Sequence, residues 1–266
     1  MKSQGIRWLT LFSLVLPWFS LSAHANPIIL GTASSFGVLA GSTVTNTGSS
    51  VIAGNVGVWP GTAITGFPPG IVTGGTMHAG DAVAQKAQAD LTVAYLQAAG
   101  LMPTTILTGQ NLGGMTLTPG VYFFSSSAQL TGTLTLNTLG NPNAVFVFQI
   151  GSTLTTASNS SVIFTNSLTD KNVYWQVGSS ATLGTTTTFS GNILALTSIT
   201  MNNGASIGCG SALAINGAVT LNNNVIGGGC GAISTVPEPG TMSLMGSGLT
   251  ILAGTAYRKI RAWRVC

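Results

Sequence analysis

A repeated pair, a threonine followed by a large apolar residue, constrains the fold of this chain more than any other feature. The six threonines of these pairs are Thr116, Thr135, Thr153, Thr182, Thr200 and Thr220. The steps between them are nearly equal except for the one from Thr153 to Thr182, which contains an insertion at 166–172. Repetition at roughly 20-residue intervals predicts a solenoid, in which each turn buries its apolar side chains against the neighbouring turns.

Apolar or small residues flank these threonines, as in Leu134-Thr135-Leu136 and Val219-Thr220-Leu221. Successive side chains of a strand point to opposite faces, so the apolar residues are expected inside and the threonines outside. Stacked strands would then carry an uncharged threonine ladder on one flat wall. A sandwich of antiparallel hairpins is the structural alternative, but it would show more two-residue turn signals between its strands.

The start of the chain has the features of a secretory signal. Lys2 and Arg7 precede an apolar run over residues 8–21, and Ala23-His24-Ala25 supplies a site for signal peptidase. We therefore predict a signal peptide over residues 1–25. An uncleaved membrane anchor is the alternative, although the apolar run is short for a span.

The end of the chain, over residues 236–266, has the parts of a sorting tail. Pro237-Glu238-Pro239 precedes an apolar stretch over residues 241–257, and a basic cluster follows at Arg258, Lys259, Arg261 and Arg264. This order resembles the PEP-CTERM signal of Gram-negative bacteria. The resemblance implies export to the cell surface or beyond and removal of the tail by an exosortase, in cells that usually make an exopolysaccharide. A short transmembrane segment retained in the inner membrane is the alternative.

Removal of both ends leaves a body of residues 26–235 that is almost uncharged. Its charged residues are Lys86, Lys171, Asp81, Asp90 and Asp170, which leave a net charge of −1 with histidine neutral. Nucleic-acid binding, which needs clustered basic side chains, is therefore excluded. The body is nevertheless rich in Val, Ile, Thr and Phe, which indicates one folded domain rather than disorder.

One helix interrupts the β segments. Residues 81–99 contain no glycine or proline, and apolar residues recur with helical spacing at 84, 87, 91, 94, 95 and 98. Asp81 can cap the start and Gly100 can end the helix.

Two cysteines of the body, Cys209 and Cys230, are separated in sequence by close to one turn of the predicted solenoid. Neighbouring turns are about 4.8 Å apart, within the separation that a disulfide permits. An exported protein allows its formation, and such a bridge would stabilise the last turns by about 3 kcal/mol. Two free thiols are the alternative. Two cysteines and one histidine, His78, do not form a zinc pattern, and no metal or other cofactor is expected.

Several segments, taken together and in order, resemble the ice-binding proteins of bacteria and fungi. The segments are Leu30–Phe36, Gly54–Val58, Thr65–Gly70, Leu117–Tyr122, Asn143–Gln149, Trp175–Ser179 and Asn216–Leu221. The resemblance spans residues 28–226. It implies a mainly β fold, a discontinuous right-handed three-faced β-helix with one long α-helix packed alongside. It also implies adsorption to ice through one flat face.

Two sets of residues are candidates for that face. The first set is Thr133, Thr135, Thr153, Thr155, Thr182, Thr200 and Thr220, which the strand alternation would place in two columns. The second set follows the short Thr-x-x-Thr/Asn motifs of the family and comprises Thr62, Thr65, Thr156 and Asn159. The expected partner is the surface of an ice crystal, bound by a monomer.

Two other functions are the alternatives. A non-catalytic adhesin or matrix protein, bound to exopolysaccharide or the cell envelope, would use the same scaffold. A carbohydrate-active enzyme would need paired carboxylates or a calcium site, and the body has only three aspartates. We therefore predict that the protein is not an enzyme, and that His78 has a structural role at the start of the helix.

Overall fold

Three parallel sheets form the walls of the molecule. The computed structural model describes residues 28–166 and 172–227. Face A contains β1 (Phe36–Ala40), β4 (Asn55–Val58), β7 (Met77–Ala79), β8 (Thr105–Ile106), β10 (Gly120–Phe124), β13 (Phe146–Ile150), β16 (Val173–Val177), β19 (Asn192–Ala195) and β22 (Ala212–Ala214). Face B contains β2 (Thr43–Thr47), β5 (Ala63–Thr65), β11 (Ala128–Leu130), β14 (Leu154–Thr156), β17 (Ala181–Leu183), β20 (Ile199–Met201) and β23 (Val219–Asn222). Face C contains β3 (Val51–Ala53), β6 (Ile71–Thr73), β9 (Thr116–Leu117), β12 (Thr133–Asn137), β15 (Ser161–Thr165), β18 (Thr188–Phe189), β21 (Ser206–Ile207) and β24 (Val225–Ile226).

The chain visits faces A, B and C in rotation, as a solenoid does, but the stacking order is discontinuous. On face A the order is β7-β4-β1-β22-β19-β16-β13-β10-β8. The coil β22–β24 therefore packs against the coil β1–β3, with Ala212 beside Val38 and Thr220 beside Thr45. The predicted mainly β solenoid is confirmed, and no antiparallel pairing occurs between its described strands.

One long helix makes this order possible. Helix α1 (Ala82–Ala99) follows β7 at one end of face A and precedes β8 at the other. Its 18 residues span about 27 Å, and the eight strand spacings between β7 and β8 span about 38 Å. The helix and its flanking links thus return the chain to the far end of the solenoid.

The ends of α1 agree with the sequence prediction. The Asp81 side chain accepts a hydrogen bond from the Ala84 amide (2.8 Å), and Gly100 follows the last turn. The Gln149 Nε2 group of β13 donates to the carbonyls of Ala98 and Leu101, both at 2.8 Å. These bonds satisfy backbone groups that a helix end leaves without partners.

Helix α1 covers face A. Its predicted apolar stripe at 84, 87, 91, 94, 95 and 98 is buried, together with Gln88. The stripe packs on the outward side chains of the sheet, which include Val147, Tyr174, Leu194 and Leu213. Strands β13 and β16 are consequently buried on both sides, as strands covered by helices are. Only faces B and C remain open to water.

Inside the solenoid, apolar side chains stack from coil to coil. Phe148 lies parallel to Trp175 with ring centroids 3.8 Å apart, and Tyr122 stacks on the other side of Phe148 at 5.3 Å. The Trp175 Nε1 group donates to the Ser190 carbonyl at 3.0 Å. Stacked rings in successive strands fix the register of the coils, because a shift of one residue would turn them outward.

Asp90 ties the start of the described chain to the helix. Its Oδ2 atom accepts hydrogen bonds from the Thr32 amide (2.8 Å) and the Thr32 hydroxyl (2.6 Å), and its other oxygen pairs with Lys86. Thr32 belongs to a short 3₁₀ helix, Gly31–Ser35. The bonds from Lys86 and then Thr32 lower the pKa of Asp90 from 3.8 to about 2.

This pKa predicts an acid-sensitive contribution to stability. Because the folded pKa lies below the ordinary value of 3.8, the contribution is complete above about pH 4 and is lost as the pH falls towards 2. We expect Asp90→Asn to lower the free energy of unfolding at pH 7 by on the order of 1 kcal/mol, with a weaker dependence on pH between 4 and 2. Thermal unfolding from pH 2 to 7 measures both. If the stability of Asp90→Asn depended on pH as strongly as that of wild type, this assignment would be contradicted. The Lys86→Met variant measures how much of the effect comes from the Lys86–Asp90 ion pair.

Candidate functional site

Face B carries one continuous outward column of threonines. Strand pairing places its members side by side in the order Gln129, Thr155, Thr182, Thr200, Thr220, Thr45 and Thr65. The positions that flank these threonines within their strands point inward, as Leu183, Ile199, Met201 and Val219 do. Six threonines therefore follow one another along a single wall.

A second column runs parallel to the first, two residues earlier in each strand. Its members are Ser127, Thr153, Ser180, Ser198, Ala218, Thr43 and Ala63. Hydroxyls of this column are used within the protein. The Thr153 hydroxyl donates to Ser127 at 2.9 Å, and the Ser180 hydroxyl accepts from the Ser198 amide at 3.3 Å.

Hydroxyls of the central column have a different environment. Those of Thr45, Thr65, Thr155, Thr182, Thr200 and Thr220 make no hydrogen bond to any other residue in the described parts of the chain. Their methyl and hydroxyl groups are therefore both presented to the solvent, at a spacing that the backbone ladder fixes at about 4.8 Å.

Face B also lacks charge. In the part of the chain that the structure describes, the charged side chains are Asp81, Lys86 and Asp90, and all three lie on α1 or at its start. They are thus above face A, on a different side of the solenoid. The same residues, 28–166 and 172–227, contain no group of three His, Cys, Asp or Glu side chains that could hold a metal ion.

Face C is less uniform. Its outward column runs Thr133, Ser161, Thr188, Ser206, Val225, Val51 and Ile71. The Thr133 hydroxyl is hydrogen-bonded to the Ser161 hydroxyl at 2.8 Å. Thr135 lies in a neighbouring column between Thr116 and the exposed Ile163. Aliphatic side chains therefore occupy three of the seven positions in this outward column.

The structure divides the first predicted set between two faces. Thr153, Thr155, Thr182, Thr200 and Thr220 lie on face B, whereas Thr133 and Thr135 lie on β12 of face C. The prediction of one shared wall was therefore wrong for Thr133 and Thr135. A repeat interval is the same for all faces of a solenoid, so spacing alone does not assign a face. Thr45 was missed because it precedes α1 in sequence but stacks beyond β23, and Thr65, predicted only in the second set, joins the same column.

The second predicted set does not share a face either. Thr65 belongs to the central column of face B, and Thr62 lies in the turn that precedes it. Thr156 is buried, with its hydroxyl 2.9 Å from that of Thr187 and accepting from the Gly184 amide at 2.8 Å. Asn159 lies in a corner with a φ of 59°. The hypothesis of a working face made by this set is thus wrong for the buried Thr156.

His78 has the structural role predicted for it. Its Nδ1 atom lies 2.7 Å from Asp81 Oδ2, and its Nε2 atom lies 2.9 Å from the Thr76 hydroxyl. The Ala84 amide and then the His78 side chain lower the pKa of Asp81. The three side chains are therefore joined to the first turn of α1.

Other predicted features lie outside the described residues. They include the signal peptide over residues 1–25, Asp170 within residues 167–171, Cys230 and the tail over residues 236–266. Cys209 is buried, and its pairing with Cys230 stays a prediction, as do the domain boundaries. Within residues 28–166 and 172–227, no helix is long and apolar enough to cross a membrane.

Comparison with known proteins gives consistent matches. Residues 38–227 match the family described as "Ice-binding-like", and residues 235–261 match the PEP-CTERM protein-sorting motif. An ice-binding protein of Nostoc sp. (strain HG1) is 58% identical over 91% of this chain and 91% of its own length. The crystal structure of an ice-binding protein from an Antarctic biological consortium is 48% identical, with a TM-score of 0.74 over 77% of this chain and 92% of that one. That of an ice-binding protein from Antarctomyces psychrotrophicus is 43% identical, with a TM-score of 0.73 over 76% and 98%.

Adjacent threonines on β14 offer a test of which side chains face outward. We expect Thr156→Val to lower the free energy of unfolding by about 1–3 kcal/mol, because it leaves the buried Gly184 amide without a partner. The Thr187 hydroxyl loses its contact with Thr156 but still donates to the Ala157 carbonyl. Thr155→Val, one residue away on the outer side, should change it by no more than about 0.5 kcal/mol. Denaturant unfolding measures the difference, and equal effects of the two substitutions would contradict the assignment of Thr156 to the interior.

Proposed function

Because the chain belongs to the ice-binding-like family, we propose that the protein adsorbs to ice through face B. The observation that carries this proposal is the central column of six threonines in register, whose hydroxyls are unused by the rest of the described chain. Face A is covered by α1, and the outward column of face C changes from hydroxyl to aliphatic side chains between Ser206 and Val225.

The chemistry of threonine suits contact with ordered water. Its methyl group releases water at low cost, and its hydroxyl group can hold one water molecule of the crystal surface. Its β-branched side chain is stiff about χ1, so that little side-chain entropy is lost on adsorption. Each contact is weak, and the affinity depends on many contacts made at once by a flat and rigid array.

The absence of charge from face B serves the same purpose. An ionised side chain keeps its own hydration shell, and removal of that shell costs free energy. A lysine or aspartate within the column would therefore hold liquid-like water between the protein and the crystal. The described charges stand above face A instead, where they fasten α1 and the 3₁₀ helix.

The cellular setting follows from the sorting motif. A PEP-CTERM motif over residues 235–261 supports export and a surface location in a Gram-negative bacterium. We propose that signal peptidase and an exosortase process the two ends, and that the solenoid acts as a monomer outside the inner membrane. An ice-binding body in that place would act on extracellular ice or restrain its recrystallisation.

Matched substitutions on the two open faces test the proposal. We expect Thr182→Tyr and Thr200→Tyr together to remove most of the partitioning of the purified protein into growing ice, because two bulky rings interrupt the middle of the flat column. Thr135→Tyr and Thr188→Tyr on face C, which change the same residue type on another wall, should leave partitioning unchanged. Thermal hysteresis and ice partitioning are measured for each variant, with circular dichroism as the check of folding.

Three results would count against face B. They are a wild-type protein that stays in the liquid, an unaffected face B variant, and a greater loss in the face C variant. The first would remove ice adsorption as the function, whereas the last would move the binding surface to face C.

A further inference from the structure

A cleft of about 430 Å³ opens beside helix α1, at the edge where face A meets face B. Its walls include Trp59 and Pro60 on one side, Ile215 and Asn216 on the other, and Gln85 and Gln88 of the helix. None of these residues belongs to the central threonine column. The cleft is therefore a surface separate from the proposed ice-binding face.

Unequal turn lengths create the cleft. The turns from face A to face B stack on one another, and the one between β1 and β2 has only two residues, Gly41 and Ser42. The turns on either side of it, residues 59–62 and 215–218, have four each. A side chain at position 41 would lie 2.2 Å from the Ile215 carbonyl oxygen, so glycine keeps this turn recessed. The two longer turns project on each side of it.

The cleft contains an unsatisfied polar group. Gln88 is 4% exposed, and its Nε2 group donates to the Ala214 carbonyl at 3.1 Å. Its Oε1 atom is buried and accepts no hydrogen bond from the described residues. Buried polar groups of this kind are uncommon, because they lose hydration without compensation.

Other amides of the cleft are also available. The Asn216 Nδ2 group donates to the Leu196 carbonyl at 3.0 Å, which leaves its Oδ1 atom for a ligand. The exposed Gln85 side chain makes no hydrogen bond within the described chain. Charged side chains of the helix lie on its other flank, where Lys86 and Asp90 meet Thr32. The lining is thus aromatic and amide in character, and neutral.

We propose that this cleft binds a neutral glycan. Sugar hydroxyls both donate and accept hydrogen bonds, as side-chain amides do, and the apolar C–H face of a pyranose packs on an indole ring such as that of Trp59. The volume lies within the range of small-ligand sites. Neutrality disfavours phosphates, uronates and cations, which need charged partners.

This inference goes beyond ice adsorption and does not depend on it. Calorimetric titration of the purified protein with maltohexaose, cellohexaose and laminarihexaose measures binding, with hexagalacturonate as the anionic comparison. We expect at least one neutral hexasaccharide to bind and the anionic one not to bind. Trp59→Ala should weaken that binding by about tenfold or more, since a central aromatic contact is lost. Trp59→Phe should retain most of it.

Matched controls separate the two surfaces. Gln97→Ala, on α1 but outside the cleft, and the face B variant Thr182→Tyr should both bind the glycan as wild type does. Trp59→Ala should still partition into ice. If Trp59→Ala no longer partitions into ice, glycan binding is measured instead with Gln85→Ala and Asn216→Ala, which change exposed side chains of the cleft.

The proposal is overturned if no neutral hexasaccharide binds at millimolar concentration, if the cleft variants bind as wild type does, or if hexagalacturonate binds equally well. If the wild-type protein bound a glycan but did not partition into ice, the result would support the glycan site and reject the function proposed for face B.

Discussion

The structure depends on the pairing between the coil β22–β24 and the coil β1–β3. These coils lie near opposite ends of the described chain, and their contact joins the part of the chain before α1 to the part after it. The central column crosses this junction where Thr220 meets Thr45. Without the junction, the body would be two short stacks, each with an additional open edge, and the column would be divided.

Helix α1 makes the junction possible and also decides which walls are free. It returns the chain from β7 to β8, and its apolar stripe removes face A from water. Asp90 joins the middle of the helix to Thr32 of the 3₁₀ helix, and Gln149 joins its C-terminal end to β13. A wall that adsorbs to ice must be flat, uncovered and uncharged, whereas the charged side chains can lie on the helix that covers face A. The contacts that stabilise the fold and the proposed binding surface are thus on different sides of the solenoid.

The sequence contained enough to predict the solenoid, the helix and the outward direction of most threonines. The helix prediction succeeded because Asp81, Gly100 and the apolar spacing all agree. Assignment of threonines to faces failed for Thr133 and Thr135, because the repeat interval is the same on every face and spacing alone does not assign a strand to one of them. Thr156 shows the same difficulty, since its strand ends at a corner where the side chain turns inward to Thr187. Thr45 and Thr65 belong to the central column only because the coil β1–β3 packs against the coil β22–β24, which is distant in sequence. No local sequence pattern shows that contact.

The threonine column and the glycan cleft share a rigid connection in the turn between β22 and β23. Asn216 lies in the cleft, and Ala218, two residues later, lies in the second column of face B. A ligand bound in the cleft would thus lie at the edge of face B, beside α1, and not on the central column. Because parallel strands and stacked rings hold both surfaces in one body, occupation of the cleft would fix the direction in which face B points.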